Sequence, residues 1–215
     1  MTIADVKDLK IPENFGCDED NLETGAIDYV LDQLDETVDT TWGASKFVIF
    51  FNDSDQIVKI PFSGEYCWNE DIEDEDFYDF NTSDYCAVEA SLYADAVVRG
   101  VEKFFARTIY GGVTKKGTPY YISDRVQIYD NMVDKLKIPS EENMEKAKKY
   151  WFKSSYHTDL NRNWIAYALE WYGEEEVEKL MNFISDEHIY DLHSSNIGFR
   201  ENGAPVILDY SGFDS

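Results

Sequence analysis

Near the end of the sequence, two oxygen-bearing side chains have types and a spacing that suit a hard metal ion, and a third lies close to them in the chain. Asn202-Gly203 lies between two β-rich runs and predicts a hairpin with a two-residue type I′ turn. Paired residue numbers around such a turn sum to 405, which sets Asn196 opposite Asp209 with roughly 5 Å between their Cα atoms. An amide oxygen and a carboxylate brought together in this way suit Mg²⁺. Asp191, on the loop that enters the hairpin, is placed to meet a substrate hydroxyl.

The order and spacing of these residues also carry a family resemblance. Asp-Leu-His-x-x-Asn-Ile-Gly, followed eighteen residues after its Asp by Asp-Tyr-Ser-Gly, resembles the catalytic and metal loops of the protein-kinase-like fold. The likeness is greatest to its small-molecule, aminoglycoside-type phosphotransferase branch, in a minimal form with a truncated C-lobe. The resemblance implies that Asp191 is the catalytic base, while Asn196 and Asp209 bind Mg²⁺ that bridges the phosphates of ATP.

The same resemblance assigns roles in the first half of the chain. Lys59 lies on the second of two short β-rich runs, and Glu89 lies on the helical segment that follows. In the family, a lysine and a glutamate at these places pair and hold the α- and β-phosphates. The segment from Tyr121 to Tyr129 would connect the lobes and contact adenine through backbone groups. Phosphate would also be held by the backbone amides of Gly43, Ala44 and Ser45.

Several departures from the family pattern carry their own expectations. The segment before the first hairpin has one glycine where the family has three, which predicts a weaker phosphate grip. Ile189-Tyr190 replaces the His-Arg of protein kinases, so control by an arginine-bound phosphate in an activation loop is not expected. The glycine after Asp209 comes third, as Gly212, rather than second. Six residues follow Asp209, so we expect no peptide-binding platform of the protein-kinase type.

The elements that must position these residues are read from periodicity and turn composition. Helical patterns cover residues 24–35, 85–105, 140–154, 160–172 and 174–186. Strands are predicted at residues 47–51, 56–62, 106–110 and 119–128, and the acidic stretch 65–84 is interpreted as a solvated loop. The predicted fold class is α+β, a protein-kinase-like bilobal fold. Its parts are an acidic leader with a helix (1–40), a β-rich N-lobe (41–130) and a small helical C-lobe (131–215).

Composition narrows the functional classes. The 215 residues include 44 acidic and 19 basic ones, a net charge of −25, which disfavours direct nucleic-acid binding because that function needs a basic face. The longest obvious apolar run spans five residues, so no membrane association is expected. Three scattered cysteines match neither a disulfide framework nor a zinc site. These features predict a soluble cytoplasmic protein.

Three functions are compatible with the sequence. The leading hypothesis is an ATP-dependent phosphotransferase that binds Mg²⁺-ATP between two lobes and transfers phosphate to an unknown hydroxyl acceptor, a protein or a small molecule. A catalytically silent, pseudokinase-like interaction module would keep the same fold without turnover. An acidic DNA mimic would instead use its carboxylates to occupy a DNA-binding protein.

Overall fold

The computed structural model describes residues 1–80, 84–153 and 160–211 of the chain. It is a mixed α+β protein whose sheets are antiparallel. The chain divides into two compact units. Unit 1 comprises Met1–Ala90 and Thr108–Arg125, and unit 2 comprises Ser91–Arg107 and Val126–Ser215.

Unit 1 is organised by a five-stranded sheet in the order β1-β2-β3-β7-β6. Its strands are β1 (Val38–Trp42), β2 (Lys46–Phe51), β3 (Gln56–Pro61), β6 (Thr108–Val113) and β7 (Pro119–Asp124). The β2–β3 hairpin confirms the two predicted runs, and the β-rich segments predicted near residues 106–110 and 119–128 supply β6, β7 and the short β8 (Gln127–Ile128). Strand β1 was not predicted, because Val38-Asp-Thr-Thr-Trp42 has little apolar alternation and is held by its pairing with β2.

One face of this sheet carries two lysines. Alternate residues on a strand point to opposite faces, so one face of β2 and β3 presents Lys46 and Lys59 among apolar residues, and the other is lined by apolar side chains. The apolar face forms a core with residues from the first part of the chain, namely Val6, Leu9, Ile11, Phe15, Ile27 and Val30. Helix α1 (Gly25–Leu31) begins after Thr24, whose hydroxyl accepts the Ile27 N–H. Residues 1–40, predicted as a leader with a helix, therefore contribute buried side chains to unit 1.

The acidic stretch predicted as a loop is a β-hairpin. Strands β4 (Gly64–Asn69) and β5 (Asp74–Asp79) pair in an antiparallel register, with Tyr66 opposite Phe77. The rings of these two residues meet edge to face at 5.0 Å. The Tyr66 N–H also donates to the Cys17 carbonyl, so a contact distant in sequence holds strands that the acidic composition does not favour.

Unit 2 is mainly helical, and its three principal helices confirm the prediction. They are α4 (Glu141–Lys153), α5 (Arg162–Tyr172) and α6 (Glu174–Asp186), and Gly173 with φ +85° separates the last two. A short helix, α3 (Tyr129–Met132), precedes them. The core of this unit includes Trp164, Phe183, Phe105, Phe199 and Tyr210.

The helix that crosses the division between the units is shorter than predicted. Helix α2 spans Tyr85–Arg99, and the chain then turns at Gly100 with φ +71° into a 3₁₀ turn, Glu102–Phe104. The periodicity of residues 85–105 continued through this break because Phe104 is fully buried in the same unit 2 core. Among the described residues, no helix combines the length and the apolar character needed to cross a membrane.

The C-terminal hairpin has a different register from the predicted one. Strands β9 (Ile197–Phe199) and β10 (Pro205–Ile207) pair with residue numbers that sum to 404, as in Phe199 with Pro205. Gly203 has φ +87°, whereas Asn202 is not among the residues with positive φ. A type I′ turn requires positive φ at both central positions, so the predicted two-residue turn is wrong. The Gly203 N–H donates to the Arg200 carbonyl and the Arg200 N–H to that of Ala204, which gives a three-residue loop.

Candidate functional site

Within unit 1, Lys59 of β3 and Glu89 of α2 form a buried ion pair. Lys59 Nζ lies 2.5 Å from Glu89 Oε1, and the two residues are 5% and 0% exposed. The pairing places the two predicted phosphate-binding residues together, although they are thirty positions apart in sequence. Sequence periodicity set Glu89 at the margin of a buried face, and the structure buries it completely.

A second lysine shares the same carboxylate. Lys46, the first residue of β2, is 5% exposed, and its Nζ lies 3.5 Å from Glu89 Oε2. Because Lys46 pairs with Pro61 and Lys59 pairs with Val48, both lysines lie on the same face of the sheet. Lys46 was not predicted as a site residue, and no local pattern in the sequence shows that it shares a carboxylate with Lys59.

Two hydroxyl groups extend this network. The Thr108 hydroxyl donates to Glu89 Oε1 at 3.2 Å, and the Ser123 and Thr108 hydroxyl oxygens are 3.0 Å apart. Together, Lys46, Lys59, Glu89, Thr108 and Ser123 are called the Glu89 cluster below. Every member is at most 5% exposed, so the charges interact in surroundings of low polarity, where ion pairs are strengthened.

Groups beside the Glu89 cluster respond to the same burial. Burial raises the pKa of the Cys86 thiol, which keeps that group a neutral thiol at physiological pH. Burial, together with the hydrogen bond that Tyr121 donates to Asp84, raises the pKa of the Tyr121 phenol. These groups are therefore neutral, and the charged members of this region are the lysines and carboxylates.

The predicted phosphate loop is a tight turn between β1 and β2. The Gly43 N–H donates to the Lys46 carbonyl at 3.2 Å, so one of the three amides expected to hold phosphate is engaged within the turn. Gly43 and Ala44 are exposed, and Ser45 is half-buried. A Cβ atom placed on Gly43 meets nothing within 4 Å, which means that neighbouring residues do not require glycine here.

Within unit 2, the loop between α6 and β9 presents Asp191 to solvent. This segment, His188–Asn196, is called the Asp191 loop. Ile189 and Leu192 are buried on either side of Asp191, and the Ile189 N–H donates to the Ile184 carbonyl of α6. Half of the Asp191 side chain is exposed. Burial of Ile189 and Leu192 therefore anchors the loop, while the Asp191 carboxylate remains accessible to solvent.

Asn196 and His193 fix the position of Asp191. Asn196 Nδ2 donates to the Asp191 main-chain carbonyl at 2.8 Å and lies 3.3 Å from Asp191 Oδ2. The Ser195 N–H donates to His193 Nδ1. The other ring nitrogen, Nε2, lies 3.4 Å from Asp191 Oδ1 and 3.2 Å from Asn196 Nδ2. His193 was not predicted to have a catalytic role, although its position two residues after Asp191 was a usable signal.

The observed hairpin register changes the expected relation between Asn196 and Asp209. The Leu208 N–H donates to the Asn196 carbonyl at 3.0 Å, so Leu208 is the residue facing Asn196 and Asp209 follows one position later. The predicted direct pairing of Asn196 with Asp209 is therefore wrong. Asp209 is half-buried, and its Oδ1 lies 3.5 Å from the Ser211 hydroxyl. Gly212, whose position was noted as a departure from the family, lies outside the described residues.

Close packing explains the glycine that follows Asn196-Ile197. A Cβ atom on Gly198 would lie 2.1 Å from the Gln127 carbonyl oxygen of β8. Only glycine therefore lets β8 pair with β9 at this distance. The indole N–H of Trp164 donates to the Gly198 carbonyl. This hydrogen bond connects the hairpin to α5 at a position two residues after Asn196.

In the Asp191 loop, one atom of the Asn196 amide has the chemistry of a hard oxygen ligand. Since the Asn196 side-chain nitrogen is committed to Asp191, the amide oxygen Oδ1 is the atom through which Asn196 would bind a cation. Oxygen atoms of this kind are the ligands that Mg²⁺ takes from proteins. In the described parts of the chain, no group of three or more His, Cys, Asp or Glu residues is arranged to hold a metal ion.

The segment from Tyr121 to Tyr129, expected to connect the lobes, includes the end of β7, strand β8 and the first residue of α3. The division between the units falls inside it, between Arg125 and Val126. No protein-family model matches this chain, and no curated protein sequence matches it significantly.

Proposed function

We propose that this protein is a Mg²⁺- and ATP-dependent phosphotransferase of the protein-kinase-like fold. The Lys59–Glu89 pair carries the proposal: a strand lysine and a helix glutamate, thirty positions apart, form an ion pair that is almost fully buried. A buried lysine is costly unless it is paired. In this arrangement Glu89 holds the Lys59 ammonium in one position, as a fixed cation for the α- and β-phosphates of ATP.

The oxygen ligands of unit 2 support the second part of the proposal. Asn196 Oδ1 and the Asp209 carboxylate would hold Mg²⁺, which neutralises phosphate charge when it is bound. The role of Asn196 combines two tasks, because its nitrogen already donates to the Asp191 carbonyl. A cation that binds the Asn196 side-chain oxygen would therefore be linked to Asp191 through the same amide group.

Asp191 would act on the acceptor. Its carboxylate is exposed, and the Asn196 amide and His193 ring lie within 3.4 Å of its oxygens. In the proposed reaction, the acceptor oxygen forms a bond to the γ-phosphorus while the bond to the bridging oxygen of ADP breaks. Asp191 orients the hydroxyl and takes its proton. Positioning accounts for most of this catalysis, so a rigid loop anchored by Ile189 and Leu192 is an appropriate carrier for the base.

Calorimetry with ATP, with and without Mg²⁺, tests the proposal. We expect metal-dependent binding by the wild-type protein, loss of the metal dependence in Asp209→Ala, and normal binding in Asp191→Asn. Incubation with radiolabelled ATP and a panel of hydroxyl compounds and proteins should show transfer by the wild type and at least a hundredfold slower transfer by Asp191→Asn.

Each outcome has a distinct meaning. Absence of binding at millimolar Mg²⁺-ATP would overturn the proposed function. Metal-dependent binding with no transfer, even to water, would restrict the site to nucleotide recognition and favour the interaction module over the enzyme. Transfer at the wild-type rate by Asp191→Asn would remove Asp191 from the reaction while keeping the nucleotide site.

A further inference from the structure

The segment that leads from α6 into the Asp191 loop has an unfavourable backbone conformation. His188 follows the helix with φ +55°. Its N–H donates to the Ser185 carbonyl, and the Ile189 N–H donates to the Ile184 carbonyl, which is the bond pattern of a Schellman helix end. Glycine is the residue that this position favours, because other side chains have a steric cost at positive φ. A histidine here therefore costs stability that a glycine would not.

The histidine ring has a partner next to the candidate base. His188 Nδ1 lies 2.7 Å from the Tyr190 hydroxyl oxygen, a hydrogen-bond distance, and the centres of the two rings are 5.9 Å apart. A glycine could not make this contact. The unfavourable backbone at His188 therefore accompanies a link between the end of α6 and the residue that precedes Asp191, which indicates that the histidine acts on the loop rather than on the helix.

Tyr190 and Asp191 depend on such a link because burial does not fix them. Their neighbours Ile189 and Leu192 are buried, whereas Tyr190 is half-buried and Asp191 is exposed. The Leu192 N–H donates to the Tyr190 carbonyl at 2.8 Å, which closes a γ-turn with Asp191 at its centre. The contact with His188 therefore holds the side chain of the residue whose carbonyl closes this turn.

We propose that His188 and Tyr190 are positioning residues, a hydrogen-bonded ring pair that fixes the main chain at Asp191. The inference deepens the proposed function and rests on it for its effect on the reaction, in which Asp191 must orient an acceptor hydroxyl from a fixed place. Displacement of a catalytic group by about 1 Å can slow a reaction about a hundredfold. Neither ring takes part in the bond changes.

Substitutions that separate the backbone cost from the ring contact test this inference. His188→Gly removes the ring and relieves the positive φ, and Tyr190→Phe removes only the hydroxyl. Glu73→Gly, at an exposed residue of unit 1 with φ +51°, is the matched control for relief of the backbone. Thermal unfolding, hydrogen exchange of the Leu192 amide and steady-state hydrolysis of Mg²⁺-ATP, with water as the acceptor, are measured for each variant.

We expect His188→Gly to unfold at or above the wild-type temperature, because relief of the positive φ offsets the lost hydrogen bond. Its Leu192 amide should nevertheless exchange about tenfold faster, and kcat should fall about tenfold with the KM for Mg²⁺-ATP unchanged. Tyr190→Phe should change exchange and kcat in the same way. The double variant should show no further loss, since both substitutions remove one hydrogen bond. Glu73→Gly should change neither quantity.

Unchanged exchange of the Leu192 amide in both His188→Gly and Tyr190→Phe would overturn the ring pair, and continued hydrolysis would then leave the proposed function intact. Faster exchange with unchanged kcat, or additive losses in the double variant, would overturn the positioning role. Faster exchange in the variants of a protein whose wild type hydrolyses no Mg²⁺-ATP would support the ring pair and count against the phosphotransferase. If His188→Gly does not fold, Tyr190→Phe decides, because it leaves the backbone unchanged.

Discussion

The Glu89 cluster and the Asp191 loop hold charged side chains in place in different ways. In the cluster, the charged groups are almost completely buried and hold one another through ion pairs. In the loop, the Asp191 carboxylate is half exposed, and its main chain is fixed by Asn196 and by buried apolar neighbours. The side chains of the cluster are therefore held in position by buried ion pairs, whereas the loop is held by hydrogen bonds to its backbone.

This difference has a consequence for function. A buried ion pair is rigid and excludes water, which suits the holding of phosphate groups that do not themselves react. An exposed carboxylate on a fixed backbone can exchange protons with a bound hydroxyl and with solvent, which suits a base. Charge removal should consequently damage stability in one region and activity in the other.

Removal of Glu89 should have the largest effect on stability. Glu89→Ala leaves the Lys46 and Lys59 ammonium groups without their shared carboxylate, and we expect it to lower the free energy of unfolding by about 3 to 5 kcal/mol. Asp191→Ala, at an exposed carboxylate, should lower it by less than about 1 kcal/mol. Urea unfolding at neutral pH measures both. Glu75→Ala, an exposed position on β5, gives the background for loss of an acidic side chain in unit 1.

Similar losses of stability in Glu89→Ala and Asp191→Ala would contradict the proposed difference between the cluster and the loop. A loss below about 1 kcal/mol for Glu89→Ala would mean that the lysines find equivalent partners or water once the carboxylate is gone. A large loss for Asp191→Ala would show that the carboxylate, and not the Asp191 main-chain carbonyl alone, maintains the loop.

An intermediate effect on stability is expected at Asn196. A substitution there removes the hydrogen bond from its side chain to the Asp191 main-chain carbonyl and leaves the Asp191 carboxylate in place. Asn196→Ala deletes the donor to the Asp191 carbonyl and should cost about 1 to 2 kcal/mol. Asn196→Asp keeps an oxygen ligand but replaces the N–H donor by a carboxylate beside two acceptor oxygens, so at neutral pH it should cost at least as much as Asn196→Ala. Urea unfolding compares the pair, and wild-type stability in Asn196→Asp would contradict the role of Nδ2.

Local patterns were sufficient to predict much of this structure. The β2–β3 runs are β-rich and flank a segment of turn composition, and the three helices after residue 140 show clear periodicity, so both regions could be predicted without tertiary information. Lys59 and Glu89 could be proposed together because the family resemblance implies a lysine on a strand and a glutamate on the helix that follows. The burial of Glu89 could not, since it depends on which helical face meets the sheet.

The errors lie where distant contacts decide the outcome. Strands β4 and β5 form although their composition is acidic, because Tyr66 packs on Phe77 and bonds to Cys17. The register of β9 and β10 changes by one because Asn202 does not adopt the positive φ that the Asn-Gly pattern favours. Lys46 was missed for a related reason: nothing in a local window shows that a lysine at the start of a strand shares a carboxylate with another thirteen residues later.

The smallest expected effect is at a surface carboxylate that joins two helices of unit 2. Glu170 of α5 accepts hydrogen bonds from the Asn143 side chain at 2.6 Å and from the Ser140 hydroxyl at 3.0 Å, at the start of α4. These bonds, that from Asn143 first, lower the pKa of Glu170 below its usual value of 4.5. Its folded-state pKa is below its unfolded-state pKa, so the ionised group stabilises the fold above pH 4.5 and loses this contribution as the pH falls through the folded-state pKa.

Comparison of the wild type with Glu170→Gln therefore sharpens the contrast with the buried cluster. We expect the wild type to be slightly more stable than the variant near neutral pH, and the two curves to converge as the pH falls below 4.5, measured by urea unfolding at several pH values. Glu178→Gln, which changes the same charge at an exposed position of α6, corrects for the general loss of negative charge on a chain of net charge −25. A stability difference that stays constant across this range would show that the bonds from Asn143 and Ser140 do not depend on the charge of Glu170. The cap of α4 would then be held by neutral hydrogen bonding alone, and charge-dependent stability would be confined to buried groups such as the Glu89 cluster.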